Sequence, residues 1–184
     1  YGQLGNGTNQ DKNIPVRIGF LYSTIAAGGR HSLALKKDNT MWAWGNNEYG
    51  QLGDSSNENR NKPVHIYSSL LGDYSRYEIA AGEYHSLLMG RDGVVCATGK
   101  NDVGQLGGGT YADRNTLARI GSGYIGITAG GSHSFALEEI YKNDWFWGPL
   151  PENHLYAWGD NHSGQLGCGP IPQFSNTAIH IGPK

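Results

Sequence analysis

The sequence has few of the features that mark a membrane protein, a nucleic-acid binder or a disulfide-stabilised domain. No apolar run approaches the roughly 18–20 residues that span a bilayer. The formal net charge is −2, and the basic residues are scattered, without the stripe that nucleic-acid binders carry. The two cysteines, Cys96 and Cys168, stand at non-equivalent positions and form neither a disulfide framework nor a metal motif. No sustained 3.6-residue period is present, so we expect little helix.

Glycine, by contrast, is abundant, at 29 of 184 residues, and it recurs in fixed contexts. Three sequence blocks return in one order along the chain, and the spacing varies only between them. A register kept in this way identifies an internal repeat of about fifty residues. The blocks are Gly-Gln-Leu-Gly at 2–5, 50–53, 104–107 and 164–167; AAGGRHSLAL at 26–35, AAGEYHSLLM at 80–89 and TAGGSHSFAL at 128–137; and MWAWGNN at 41–47, VCATGKN at 95–101 and LYAWGDN at 155–161.

Within each unit the local patterns predict short antiparallel strands. Residues 31–35 and 41–44 alternate in the period of two that strands show. Residues 37–39 between them, and residues 91–93 in the next unit, have the composition of a hairpin turn. Pro15 and Pro63 suit the first residue of a strand. About four strands in each unit predict an all-β fold, a β-propeller of four-stranded antiparallel blades with three to four blades present. We expect one domain over 1–184, with units at about 1–48, 49–102, 103–162 and an incomplete 163–184.

The order AAGxxHSLAL and then WAWGxNxxGQLG resembles the repeat of the regulator of chromosome condensation family. The resemblance covers the chain except for an insertion at about 138–154, and it implies a ring of about seven blades. Three to four units cannot close such a ring. We therefore expect either a fragment of a longer protein or several copies that associate, because an open arc leaves strand edges and apolar blade faces uncovered.

The recurring polar and aromatic residues are interpreted as structural, and we predict no enzyme activity. Adjacent His-Ser pairs cannot act as base and nucleophile on each other, because consecutive strand residues point to opposite faces. No carboxylate or cysteine recurs with the histidines, so we expect no metal. The GxGxxG match at 121–126 precedes a strand pattern and not a helix, so we expect no cofactor. The residues assigned this structural role are His31, His85, His133, Gly50, Gly104, Gly164, Trp44 and Trp158.

The insertion at 138–154, EEIYKNDWFWGPLPENH, is the one feature that the repeat does not explain. Loops on a rigid scaffold often carry function, and aromatic residues are preferred binding anchors. We predict a partner-binding surface there, with packing on its own blade and contact with another subunit as the open alternatives. The aromatic candidates are Tyr141, Trp145, Phe146 and Trp147, and a second candidate surface in the expanded second unit holds Tyr74, Arg76 and Tyr77.

These observations predict a non-catalytic scaffold that binds a protein partner through its blade loops. The resemblance implies three kinds of role: exchange factor for a small GTPase at chromatin, ligase-associated module, or secreted bacterial inhibitor. The repeat that all of them share cannot select the partner. The alternatives are the exchange factor and a self-assembling structural propeller. The regular WAWGNN units favour a bacterial protein that is secreted or held at the cell surface. We expect no nucleic-acid partner and no membrane segment.

Overall fold

A computed structural model describes residues 1–67, 77–144, 148–169 and 173–182, and within these ranges the chain is all-β without a helix. The strands form three antiparallel four-stranded sheets, each with its strands in chain order. The strands are β1 Tyr22–Ala27, β2 His31–Lys36, β3 Met41–Gly45, β4 Arg60–Ile66, β5 Tyr77–Ala81, β6 His85–Gly90, β7 Val95–Gly99, β8 Arg114–Gly121, β9 Tyr124–Ala129, β10 His133–Asp144, β11 Gly148–Asp160 and β12 Phe174–Ile181. This is the predicted architecture of successive four-stranded blades.

The second and third strands of the first two sheets are joined by the turns that the sequence predicted. In the first sheet Asn39 donates its N–H to the carbonyl of Lys36 at 2.9 Å, and Asn39 has a φ of +64°. In the second sheet Gly93 takes this place, with a φ of +74° and a 3.0 Å bond to Gly90. Asparagine and glycine are the residues that tolerate this left-handed conformation best.

The fourth strand of the first sheet is irregular, and here one prediction was wrong. The register passes from Ala43↔Val64 to Gly45↔Arg60, so three residues of β4 face one residue of β3. Pro63 lies among these three, inside β4 and not at its start. Proline is tolerated there because β4 is an edge strand and a bulge needs no ladder bond from every residue. Pro15 lies outside the strands.

The hydrophobic core lies between the sheets. One cluster joins Leu33, Leu35 and Met41 of the first sheet to Leu88 and Cys96 of the second. A second cluster joins Leu87 of the second sheet to Ala136 and Trp158 of the third. The neighbours Leu87 and Leu88 thus belong to different clusters, because consecutive strand residues point to opposite faces. The middle sheet is therefore covered on both faces, which explains why β6 is buried along almost all of its length.

The Gly-Gln-Leu-Gly segments connect each sheet to the next one. Residues 50–53 leave β3 of the first sheet and pack on the second, where a Cβ on Gly50 would lie 2.4 Å from Cα of Asn115. Leu52 is fully buried in the cluster between these two sheets. Leu4, at the equivalent position, is 40% exposed. Leu4 stays partly exposed because, among the described residues, only the first sheet lies against this segment.

Candidate functional site

The recurring histidine and serine form a hydrogen-bond network that crosses from one sheet to the next. His31 Nε2 lies 2.9 Å from Ser86 Oγ, and His85 Nε2 lies 2.9 Å from Ser134 Oγ. Ser86 in turn donates to the carbonyl of Gln51 at 2.7 Å. His31 and His85 therefore each bond the serine of the following unit. Histidine and serine cannot bond each other as chain neighbours, but they do bond each other across the interface between sheets.

The network determines which histidine nitrogen carries the proton. Because the Ser86 hydroxyl donates to Gln51, it accepts from His31, so the His31 proton is on Nε2. Nδ1 of His31 and of His85 is buried without a hydrogen-bond partner in the described structure. Burial lowers the pKa of His31 to about 4. Burial, aided by the nearby His31 and His133, lowers the pKa of His85 to about 3. Both rings are neutral at pH 7, which suits a structural bond and not proton transfer.

Each of these histidine rings packs closely against a glycine. A Cβ on Gly82 would lie 2.2 Å from Cε1 of His85, and one on Gly28 would lie 2.5 Å from Cε1 of His31. These glycines do not have the left-handed φ seen at Gly50, +80°, and at Gly104, +81°. At Gly28 and Gly82, glycine is therefore required for the close approach of the ring, whereas Gly50 and Gly104 also need the positive φ.

The aromatic residue of the third block is tied to the same Gly-Gln-Leu-Gly backbone. The indole N–H of Trp44 donates to the carbonyl of Gln3 at 2.8 Å, and that of Trp158 donates to the carbonyl of Gln105 at 2.9 Å. In the middle sheet Thr98 stands at this position, fully buried, and its one hydroxyl proton is shared between the carbonyls of Gly50 at 2.9 Å and Arg114 at 2.7 Å. The donor to the Gly-Gln-Leu-Gly backbone is therefore a hydroxyl in the middle sheet and an indole N–H in the other two.

The insertion continues the blade as a projecting hairpin. In the middle sheet the last pair before the turn is Met89↔Val95. The equivalent pair in the third sheet is Leu137↔Leu155, after which β10 and β11 run on through seven more pairs from Glu138↔His154 to Asp144↔Gly148. At roughly 3.4 Å per residue, the ladder extends about 20 Å beyond the blade.

The described side chains place part of the predicted surface on this hairpin. Tyr141 is 63% exposed, and its hydroxyl donates to Glu139 at 2.8 Å. Tyr77 begins β5 at the pairing position that Tyr22 and Tyr124 occupy in the other sheets. It lines a cavity of about 230 Å³ together with Tyr124, which pairs with Glu138 at the base of the hairpin. The remaining predicted residues, Trp145, Phe146, Trp147, Tyr74 and Arg76, lie outside the described residues.

Sequence reasoning missed the aromatic cluster at the base of the hairpin. The rings of Tyr124 and Tyr156 lie 5.9 Å apart, and the rings of His154 and His180 lie 4.5 Å apart. The recurrence of tyrosine at the start of the first strand of each sheet was the signal that could have indicated it. Within the described residues, no group of three or more His, Cys, Asp or Glu side chains could hold a metal ion, and no helix could cross a membrane.

Comparison with known proteins supports the repeat directly. The family model described as regulator of chromosome condensation (RCC1) repeat matches residues 1–35 and 38–89, and a second RCC1-repeat model matches residues 22–51. The human proteins called probable E3 ubiquitin-protein ligases HERC6 and HERC3 are 32% and 33% identical over 98% and 99% of this chain. The chain spans only 18% of either relative.

Solved structures show the same fold. Yeast RCC1 (Prp20), crystallised with Kap60, matches 89% of this chain and 37% of its own length, with a TM-score of 0.73 and 24% identity. Human WBSCR16 matches 96% of this chain and 56% of its own length, with a TM-score of 0.60 and 15% identity. The chain therefore contains RCC1 repeats, and its three described sheets are blades of an RCC1-type β-propeller.

Proposed function

We propose that this chain is a non-catalytic protein-interaction module whose contact arm is the hairpin at 138–154. The observation that carries the proposal is the hairpin itself. It extends the ladder of the third blade by seven pairs where the middle blade closes with a five-residue turn at residues 90–94. A projecting element that leaves the blade ladder unbroken adds contact surface without disturbing the packing between sheets.

The recurring contacts of the blades support a non-catalytic role. Both buried histidines are uncharged at pH 7 and are occupied by the interblade bonds to Ser86 and Ser134. The Cys96 thiol is buried in the core, and burial raises its pKa to about 11, so it is not a ready nucleophile. These three side chains are therefore used for packing and structural bonds.

Similar propellers have protein partners, which supports the same class of function. The yeast protein Prp20 has been crystallised with Kap60 bound, and binding to Gsp1p and histones is described for it. The two human relatives are named ligases, but this chain matches less than a fifth of each. Because 24% identity indicates the fold alone, neither the exchange-factor alternative nor a ligase role is proposed for this chain.

The experiment removes the arm and keeps the blade. Residues 138–154 are replaced by Gly-Arg-Asp-Gly-Val, the turn of the middle blade at residues 90–94. The matched control places the same five residues at 36–40, the equivalent turn of the first blade, which closes between Leu35 and Met41. Proteins captured from an extract of the source cells by the wild type and both variants are compared by quantitative mass spectrometry.

We expect the arm replacement to lose specific partners that the control retains, while the circular dichroism spectrum and melting temperature stay close to wild type. A third variant replaces the predicted aromatic residues Trp145 and Trp147 by alanine within the intact arm. Equal capture by the wild type and the folded arm replacement would show that the partner binds elsewhere.

A second kind of partner is indicated by the first blade. Ile25 of β1 is 76% exposed, whereas its equivalent in the second sheet, Ile79, packs against the cluster between the sheets. We propose that a further blade of the same kind covers this face, supplied by the same polypeptide or by another copy. Light scattering of this chain tests the second source: a monodisperse, folded monomer across a wide concentration range would contradict association of copies.

A further inference from the structure

The projecting hairpin has two outer edges, and the register of the sheet determines which backbone groups each edge exposes. Gly130 donates its N–H to the carbonyl of His133 on the β9 side of β10, and Asp160 donates to the carbonyl of Ser132 on the β11 side. Backbone groups of alternate residues along an antiparallel strand point to the same side. The register of β10 with β11 is unbroken from His133 to Asp144. Odd-numbered residues of β10 therefore direct their N–H and C=O away from β11.

The edge of β10 is open beyond the blade. The last residue of β10 that pairs with β9 is Glu138. Beyond it, Glu139, Tyr141 and Asn143 direct their N–H and C=O outward, and no strand of the described ranges pairs with them. The free backbone on this edge spans five residues, which is enough for a short added strand.

The edge of β11 is closed to such pairing by proline. Pro149 and Pro151 face Asn143 and Tyr141, so they too direct their backbone away from the partner strand. Proline has no N–H, and proline at an exposed edge is a common device against strand addition. The hairpin is therefore asymmetric, with one edge blocked at two successive outward positions and the other edge unblocked.

Charge indicates what would pair with the open edge. The insertion carries four carboxylates, Glu138, Glu139, Asp144 and Glu152, against one lysine, Lys142. The Tyr141 ring beside Glu139 offers an exposed aromatic surface for a cross-strand neighbour. A second copy of the same acidic hairpin would be repelled, whereas lysine or arginine on an added strand would lie close to carboxylates.

We propose that the outer edge of β10 at Glu139–Asn143 binds an extended, basic segment of a protein partner as an additional β-strand. The segment lies in line with β9 and takes its backbone bonds from Glu139, Tyr141 and Asn143, while its basic side chains face the acidic surface of the hairpin. Backbone pairing provides affinity, and the charge and the Tyr141 ring provide selectivity. This inference rests on the proposed role of the hairpin as the contact arm.

The test blocks one edge at a time in the full chain. Tyr141→Pro removes an outward N–H from the open edge and leaves the bonds between β10 and β11 in place. Asn153→Pro is the matched control, because Asn153 faces Glu139 and removes an outward N–H from the opposite edge. The probe is a fluorescent, end-capped octapeptide that alternates lysine with valine, and its binding is measured by anisotropy at low and moderate salt. Its twin carries glutamate in place of lysine.

The lysine peptide is expected to bind the wild type and Asn153→Pro equally and to bind Tyr141→Pro about tenfold more weakly, the effect of roughly one lost backbone bond and its neighbour. The glutamate peptide should not bind, and salt should weaken the lysine peptide. Absence of lysine-peptide binding at millimolar concentration, equal loss in both proline variants, or dimerisation of the wild type through this edge would overturn the inference.

The outcome is separable from that of the proposed function. If the arm replacement loses its natural partners but the lysine peptide binds both proline variants equally, the hairpin is the contact arm and its open edge is not the binding element. If the arm replacement keeps all partners, the proposed role of the hairpin as the contact arm is refuted, and with it the inference that its edge binds a partner.

Discussion

Ser86 is the residue whose loss tests the interblade network most directly. It is fully buried, and its hydroxyl bonds two groups, Nε2 of His31 in the preceding unit at 2.9 Å and the carbonyl of Gln51 at 2.7 Å. Ser86→Ala removes one oxygen atom and leaves both groups without that partner. The matched variant is Ser32→Ala, at the equivalent position in the first blade, where the hydroxyl bonds only the carbonyl of Gln3 in an exposed setting.

The expected magnitude follows from these partners. A buried polar group left unsatisfied costs about 1–3 kcal/mol, and two such groups should lower the free energy of unfolding by about 3 kcal/mol. In the Ser32 variant the carbonyl of Gln3 keeps the indole N–H of Trp44 at 2.8 Å, so the loss should be about 0.5–1 kcal/mol. For a chain of this size, about 3 kcal/mol corresponds to a fall in melting temperature of about 6–12 °C.

The assay is urea unfolding at pH 7 with tryptophan fluorescence and circular dichroism, supported by calorimetry. Coincident transitions from the two probes establish that a single free energy of unfolding is meaningful for stacked repeats. The reasoning is refuted if Ser86→Ala and Ser32→Ala lower stability by the same amount, or if Ser86→Ala costs less than about 1 kcal/mol.

Three further predictions concern the same interface. In the folded state His31 and His85 stay unprotonated down to about pH 4 and 3, whereas in the unfolded state they bind protons below about pH 6.5. The free energy of unfolding should therefore fall on acidification by roughly 1.4 kcal/mol per histidine per pH unit. His85→Gln should reduce this slope in urea titrations. Gly82→Ala should cost at least about 2 kcal/mol, because its Cβ would meet the His85 ring at 2.2 Å, whereas Gly131→Ala, with nothing within 4 Å, should melt like wild type. Thr98→Val should lower the free energy of unfolding by about 1–3 kcal/mol, because the carbonyls of Gly50 and Arg114 lose its hydroxyl, and an unchanged urea midpoint would contradict that assignment.

The repeat predicted the blades because its signals are local. The period of two in residues 31–35 and 41–44 is visible in any short window, and the turn at 37–39 lies between them. These patterns correspond to β2 and β3 and to their pairing, from His31↔Gly45 to Leu35↔Met41. Short-range alternation and turn composition therefore specify the strands and their order, and the resemblance to the RCC1 repeat supplies their arrangement as blades.

The interblade bonds could not be predicted in the same way. His31 and Ser86 are 55 residues apart, and only their repeat positions relate them. The rule that chain neighbours on a strand face opposite ways excluded a bond between His31 and Ser32, but it did not indicate which serine replaces it. Likewise, the local sequence does not indicate which contacts Thr98 makes at the position of the tryptophan. Its fully buried hydroxyl lies within bonding distance of the carbonyls of Gly50 and Arg114, and this depends on how closely two sheets approach.

The contrast between the recurring structural residues and the hairpin supports the proposal that the hairpin carries the specific function of this chain. The recurring residues described above already make structural contacts. Histidine bonds the serine of the following unit, the indole or threonine hydroxyl bonds a carbonyl of the preceding Gly-Gln-Leu-Gly segment, and glycine leaves room for the histidine ring. A substitution at one of these residues therefore disturbs contacts between neighbouring parts of the propeller. The ladder between β10 and β11, in contrast, lengthens beyond Leu137↔Leu155 without altering one of these contacts. Sequence beyond that pair can therefore change without disturbing the propeller, which supports the proposed role of the hairpin as the contact arm.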